Sequence, residues 1–157
     1  MDSPRIVEGE ITARDRKVAI VAARFNDFIV SSLLKGATAS WVERGGRADD
    51  LFVARVPGAF ELPVAARKLA ASGRYDAVVA LGCVIRGDTP HFDYVAGECA
   101  RGLTIASLET GVPIAFGVLT VNTTEQALER AATTGGNKGS EAMLTALEMA
   151  GLIARLA

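Results

Sequence analysis

Aromatic residues supply only 6% of this chain, histidine occurs once and cysteine twice. No apolar run approaches the length needed to span a membrane. Scarce aromatics leave the core to Ala, Val, Leu and Ile, because half of the 157 residues are hydrophobic. An excess of either charge is missing too. Seventeen Lys and Arg stand against 18 Asp and Glu, a formal net charge of -1, which excludes a broad basic face for nucleic acid or an anionic membrane. Cys83 falls in an apolar segment and Cys99 on an apolar helical stripe, so both are expected as reduced core thiols rather than a disulfide or a metal pair. No cluster has metal-ligand spacing, and neither metal nor other cofactor is expected. An apolar signal segment is lacking, so a soluble cytoplasmic protein is expected. The length suits one domain, residues 1–157, with a sizeable single core.

What the chain does have is concentrated in the stretch from Gly82 to Val95. Ala77 to Ile85 is apolar without alternation, the character of a strand buried on both faces. Beyond it, Phe92, Val95, Ala96, Cys99, Leu103 and Ala106 form the stripe of an amphipathic helix. Gly87 frees the backbone between them, Thr89 is placed to cap the helix, and Pro90 suits its first turn. Unsatisfied N–H groups at such a strand-to-helix junction attract anions, phosphate above all. His91, the single histidine, lies in that first turn and is suited to proton transfer.

The rest of the chain alternates strands and helices. Residues Met1 to Arg16 are polar, with a weakly alternating piece from Ile6 to Ile11 that reads as an edge strand or as an arm pairing with another subunit. Lys17 to Ala23 is a strand, and Asn26 or Asp27 caps a helix whose stripe is Val30, Leu33, Leu34, Ala37 and Trp41. A strand at Leu51 to Val56 leads through Pro57-Gly58 into a helix carrying Leu62, Ala65, Ala66 and Leu69. A fourth strand, Pro113 to Leu119, again lacks alternation. A short helix follows from Thr124 to Ala131, then a loop at Thr134 to Gly136. The last helix begins near Lys138 with a stripe including Met143, Ala146, Leu147 and Ile153. This pattern predicts a three-layer α/β/α sandwich, flavodoxin-like, with a four-stranded parallel sheet and no second domain.

Ligands in such sheets sit outside the carboxyl ends of the strands. Those ends carry Arg24-Phe25-Asn26, Pro57 to Glu61, Arg86 to His91 and Thr120 to Asn122, which should share one rim. Phe25 and Phe60 can stack on a flat ring or pack in the core, and Glu61 can favour a helix N-terminus. Gly82 to Thr89 has glycines at P-loop spacing, but Asp88 stands where that motif needs its Lys. Gly135 to Gly139 does not follow a strand and is no dinucleotide fingerprint. Arg130 reads equally as a solvated partner of its helix dipole.

Taken together, the segments resemble the lumazine synthase family of riboflavin biosynthesis, from about Lys17 to the last helix. The resemblance is carried by Arg24-Phe25-Asn26, Pro57 to Glu61, Val84 to Phe92, Phe116 to Thr120, Glu125 to Arg130 and Asn137-Lys138-Gly139. It implies condensation of 5-amino-6-ribitylaminouracil with 3,4-dihydroxy-2-butanone 4-phosphate. Phe25 would stack on the pyrimidine, and the Val84 and Ile85 backbone would meet it. Asn26, Ala59, Phe60 and Glu61 would shape the ribityl pocket. Gly87, Asp88, Thr89 and Arg130 would hold phosphate, and His91 would move protons. Phe116 and Lys138 match positions facing a neighbouring subunit's site. The resemblance also implies a homopentamer, a functional link to riboflavin synthase, and no nucleic-acid or membrane partner. A hollow shell is left open, because Ala132 to Asn137 keeps the length of the turn found in shell-forming members but carries three substitutions. The second reading is a non-catalytic binding module for flavin or another phosphorylated ligand.

Overall fold

Two unbroken apolar segments decide the centre of the fold. In the computed structural model, which describes residues 2–133 and 136–157, β1 (Val18–Ala23) and β3 (Ala77–Ile85) pair in parallel, and all their residues but Ile85 are buried. β2 (Phe52–Val56) lies outside β1 and β4 (Ile114–Val121) outside β3. The strand order is therefore β2-β1-β3-β4, all parallel, and the chain has the flavodoxin-like α/β fold expected from its sequence.

Strands buried on both faces need helices on both. Ile20 and Ala22 of β1 pack with Leu33, Trp41, Met143 and Leu147, on the face covered by α1 (Asp27–Glu43), α4 (Thr124–Arg130) and α5 (Lys138–Leu156). Val21 and Ala23 point the other way, against Leu62, Ala66, Cys99 and Leu103, under α2 (Leu62–Ala71) and α3 (His91–Thr110). Trp41 is buried, and its Nε1 donates to the Arg47 carbonyl at 2.7 Å. The edge strands are less buried, and β4 departs from its reading as a strand without alternation. β2 exposes Phe52 and Val53, and β4 turns Phe116 and Thr120 outward. No strand of this chain lies beyond either edge among the described residues.

Residues 2–13 form no strand within this chain; Glu8 to Glu10 lie against α5 and Ala13 N–H donates to the Arg44 carbonyl at 3.0 Å. Arg155 donates to the Glu8 carbonyl at 3.0 Å, and a Cβ at Gly9 would collide with the α5 backbone at Glu148 and Leu152. Ile153, placed on the apolar stripe by spacing, is exposed. It lies beyond Gly151, the last buried residue of α5.

The start of α5 is fastened to α1. Asn137 caps α5 by accepting from the Ser140 N–H at 3.0 Å, and its Nδ2 donates to the Ser32 carbonyl at 3.1 Å. The Ser40 and Ser140 hydroxyls bond to one another. The loop read at Thr134 to Gly136 falls partly outside the described residues, as do Thr134 and Gly135 of the turn before α5. Gly139 sits directly against the backbone of Leu33, where a Cβ has no room. Gly139→Ala should therefore force α1 and α5 apart and destabilise the fold by about 1–3 kcal/mol. Urea unfolding reads this as a lowered midpoint, and an unchanged midpoint would mean the helices separate without cost.

Candidate active site

The turn after β1 is held from three sides. Backbone pairing continues past the strand, with Arg24 N–H donating to the Val56 carbonyl at 2.8 Å and Phe25 N–H to the Pro57 carbonyl at 2.9 Å. Asn26 adopts the left-handed conformation (φ 61°, ψ 42°), which asparagine tolerates better than most residues. Its Nδ2 donates to the Cys83 carbonyl of β3 at 2.9 Å. Arg55 of β2 donates to the carbonyls of Ala22 and Ala23, both at 3.2 Å, and pairs with Asp27 at 2.6 Å. That hydrogen bond holds the Asp27 carboxyl below its ordinary range. Asn26 occupies the N-cap position of α1 as expected, but it makes no side-chain cap bond. Asn26 instead satisfies a strand-end carbonyl that would otherwise lack a donor.

Beside this turn lies a cleft of about 720 Å³. It opens at the boundary between β1 and β3, where the strand order reverses and such sheets take their ligands. Phe25 forms one wall and Pro57 to Glu61 the next, with Ala59 to Glu61 wound into a single 3₁₀ turn. The Glu61 carboxylate accepts the Gly58 N–H at 2.9 Å. Val84 and Ile85 supply the end of β3, and Gly87, Thr89 and His91 supply the junction to α3. Phe25, Phe60 and Tyr94 are 71%, 58% and 70% exposed. That settles the choice between core and surface for the first two.

The junction suits an anion. His91 is the first residue of α3, with Pro90 at the cap position rather than in the first turn. The N-cap residue Pro90 makes no side-chain cap bond; the His91 N–H reaches Thr89 Oγ1 only at a long 3.4 Å, and the Asp93 N–H donates to the Pro90 carbonyl at 3.0 Å. Among the described residues the His91 N–H is thus only weakly held and the Phe92 N–H has no backbone partner, which suits an anion. Asp88 is exposed and is not among the cleft-lining residues. Burial pushes the Cys83 thiol up to about 11, so it is no nucleophile near neutral pH. His91 and Glu61 also line the cleft, and Glu61 is already tied to backbone.

Three of the expected site residues stand elsewhere. Phe116, Arg130 and Lys138 line a second pocket of about 470 Å³ formed by β4, α4 and the start of α5. Arg130 donates to the Gln126 carbonyl at 3.1 Å. Within one chain these residues come together with each other and not with His91. Among the described residues no group of three His, Cys, Asp or Glu side chains could hold a metal, and no helix is long and apolar enough to cross a membrane.

Several contributors escaped sequence reasoning. Phe92 and Val95 read as core stripe, yet with Tyr94 they line the cleft. Arg86 donates through Nε to Asn122 Oδ1 at 3.0 Å, and its guanidinium lies 4.4 Å from the centre of the Phe92 ring. The signal was the β3–β4 register, Ile85 opposite Val121, which sets Arg86 beside Asn122 but leaves no trace in hydrophobic periodicity.

The chain is a doubly wound α/β sheet with an aromatic-walled cleft beside a helix start at its switch point, the place where such folds take small molecules. The family model for 6,7-dimethyl-8-ribityllumazine synthase matches residues 15–154, and the chain belongs to that family. The family provides an enzyme of riboflavin biosynthesis.

The two thiols give a test that needs no substrate. Cys83 and Cys99 are free and buried, and burial raises both from 9.0 to about 11. The unfolded chain then loses these protons first, so the thiol contribution is intact below pH 9.0 and is lost toward pH 11. The melting temperature should decline less over that window in a Cys83→Ala, Cys99→Ala variant than in the parent. Parallel declines would show that the buried thiols play no part.

Proposed function

We propose that this chain condenses 5-amino-6-ribitylaminouracil with 3,4-dihydroxy-2-butanone 4-phosphate to 6,7-dimethyl-8-ribityllumazine, releasing phosphate and water. The observation that carries the reading is the single cleft in which Phe25, the end of β3 and the open start of α3 converge on His91. Phe25 stacks on the pyrimidine while the Val84 and Ile85 backbone meets its polar edge. Ala59, Phe60 and Glu61 receive the ribityl chain, with Asn26 bracing that wall. Gly87, Asp88 and Thr89 take the phosphate through backbone N–H groups and the Thr89 hydroxyl. Joining an amine to a ketone and expelling phosphate mainly requires positioning, a proton carrier and an anion cradle. His91 moves the protons of imine formation and phosphate loss. No cofactor takes part.

In this reading Phe116 and Lys138 serve the site of a neighbouring copy, which accounts for their separate pocket, and Arg130 adds charge for the phosphate. The chain is a single domain acting in a cytoplasmic homopentamer, and its product is passed to riboflavin synthase. Exposed apolar side chains such as Phe28 and Leu108, 78% and 79% exposed, are surface that such an assembly would cover. A ring follows from heterologous contacts that close. Light scattering behind a sizing column should give five chains per particle, and a monomer would sink the shared site.

Turnover of the two substrates followed by absorbance tests the reaction itself. His91→Ala should lower kcat by ~10²–10⁴-fold while leaving pyrimidine affinity nearly unchanged. A variant with parental turnover removes His91 from the chemistry. Binding of both substrates by the parent without turnover would favour the non-catalytic module.

A further inference from the structure

We infer that Arg86 is a positioning residue for the phosphate-receiving loop, acting through Asn122; this rests on the proposed condensation. Residues 86–90 belong to no helix or strand and are exposed. An anion cradle made of backbone N–H groups works only if those groups are held in place before the ligand arrives. Arg86 supplies the hold at the loop's first residue. Its own N–H donates to the Val121 carbonyl at 2.9 Å, which carries the β3–β4 ladder one step past its last pair. Its Nε donates to Asn122 Oδ1 at 3.0 Å, and its guanidinium lies 4.4 Å from the Phe92 ring and 3.6 Å from the Asp93 carboxylate. Three contacts at the two ends of the loop therefore converge on one planar cation.

The guanidinium is committed to these partners, and Arg86 does not line the cleft. Its role is to place the loop rather than to bind phosphate. Asn122 is itself anchored, its N–H donating to Gln126 Oε1 at 2.7 Å. The Gln126 carbonyl in turn accepts from Arg130 at 3.1 Å. One strut thus runs from the phosphate loop through Asn122 and Gln126 to Arg130. A planar fork that stacks and donates at once is not reproduced by the point charge of lysine.

Calorimetric titration of inorganic phosphate into the whole protein, alongside titration of the pyrimidine substrate, tests this. Arg86→Gln should weaken phosphate about tenfold and raise KM for the phosphorylated ketone in step, with pyrimidine affinity within about twofold. Asn122→Ala should weaken phosphate as well. The double variant should be no weaker than Arg86→Gln alone, because both substitutions cut the same strut. Arg86→Lys should fail to restore binding. The inference is overturned if Asn122→Ala leaves phosphate binding intact while Arg86→Gln loses it, since Arg86 would then touch phosphate directly. Rescue by Arg86→Lys overturns it too, as does equal loss of both ligands with a lowered melting temperature. A parent protein that binds neither ligand sinks the proposed condensation and this role together. A parent that binds both ligands and turns over the two substrates, beside an unaltered Arg86→Gln, sinks this role alone.

Discussion

Burial of β1 and β3 on both faces is the constraint from which the remaining architecture follows. Two adjacent strands with almost no exposed residue require an apolar layer above and below. The chain supplies both by returning a helix after each strand. The same constraint locates the chemistry. Interior backbone groups are consumed by the sheet, so unpaired N–H groups and irregular backbone are available where the strands end. Asn26 shows how tight this economy is, its side chain being spent on the Cys83 carbonyl rather than on its own helix.

The cleft and the second pocket divide the expected site along a physical line. Phe25, Glu61, Val84, Thr89 and His91 come together on one side, whereas Phe116, Arg130 and Lys138 gather around β4 and α4. The first group offers aromatic surface, backbone groups and an imidazole; the second offers positive charge. Under the proposed condensation a phosphorylated substrate would draw on both, and the proposed strut from Arg86 to Arg130 would tie the loop of one to the cation of the other.

The elements that could be read from sequence are those governed by local rules. Unbroken apolar runs marked β1 and β3, and 3.6-residue stripes marked the long helices, with boundaries shifting by a residue or two. Where sequence reading went astray, the cause was tertiary. β4 read as uniformly buried because its composition is apolar, yet its edge position turns Phe116 to solvent. Asn26 stands at the N-cap position as read, but its left-handed backbone makes no side-chain cap bond, and its Nδ2 holds a carbonyl of β3. Arg86 and Asn122 were legible as sharing one rim, but their hydrogen bond and its link to Gln126 were not, because register rather than spacing brings them together. His91 was legible because a lone imidazole at a strand-to-helix junction stands out against so plain a background.

Trp41 has a practical meaning beyond its packing. It is the single tryptophan of the chain, buried at the far end of α1 from the Phe25 turn. At 1.5 Å per residue the helix puts about 20 Å between Asp27 and Trp41. With the indole bonded to the Arg47 carbonyl and sealed from water, its fluorescence follows the seating of α1 on the sheet. It is spatially remote from cleft occupancy. The protein therefore carries an intrinsic optical reporter of folding in which unfolding registers as a red shift, and no extrinsic dye is needed to watch the core.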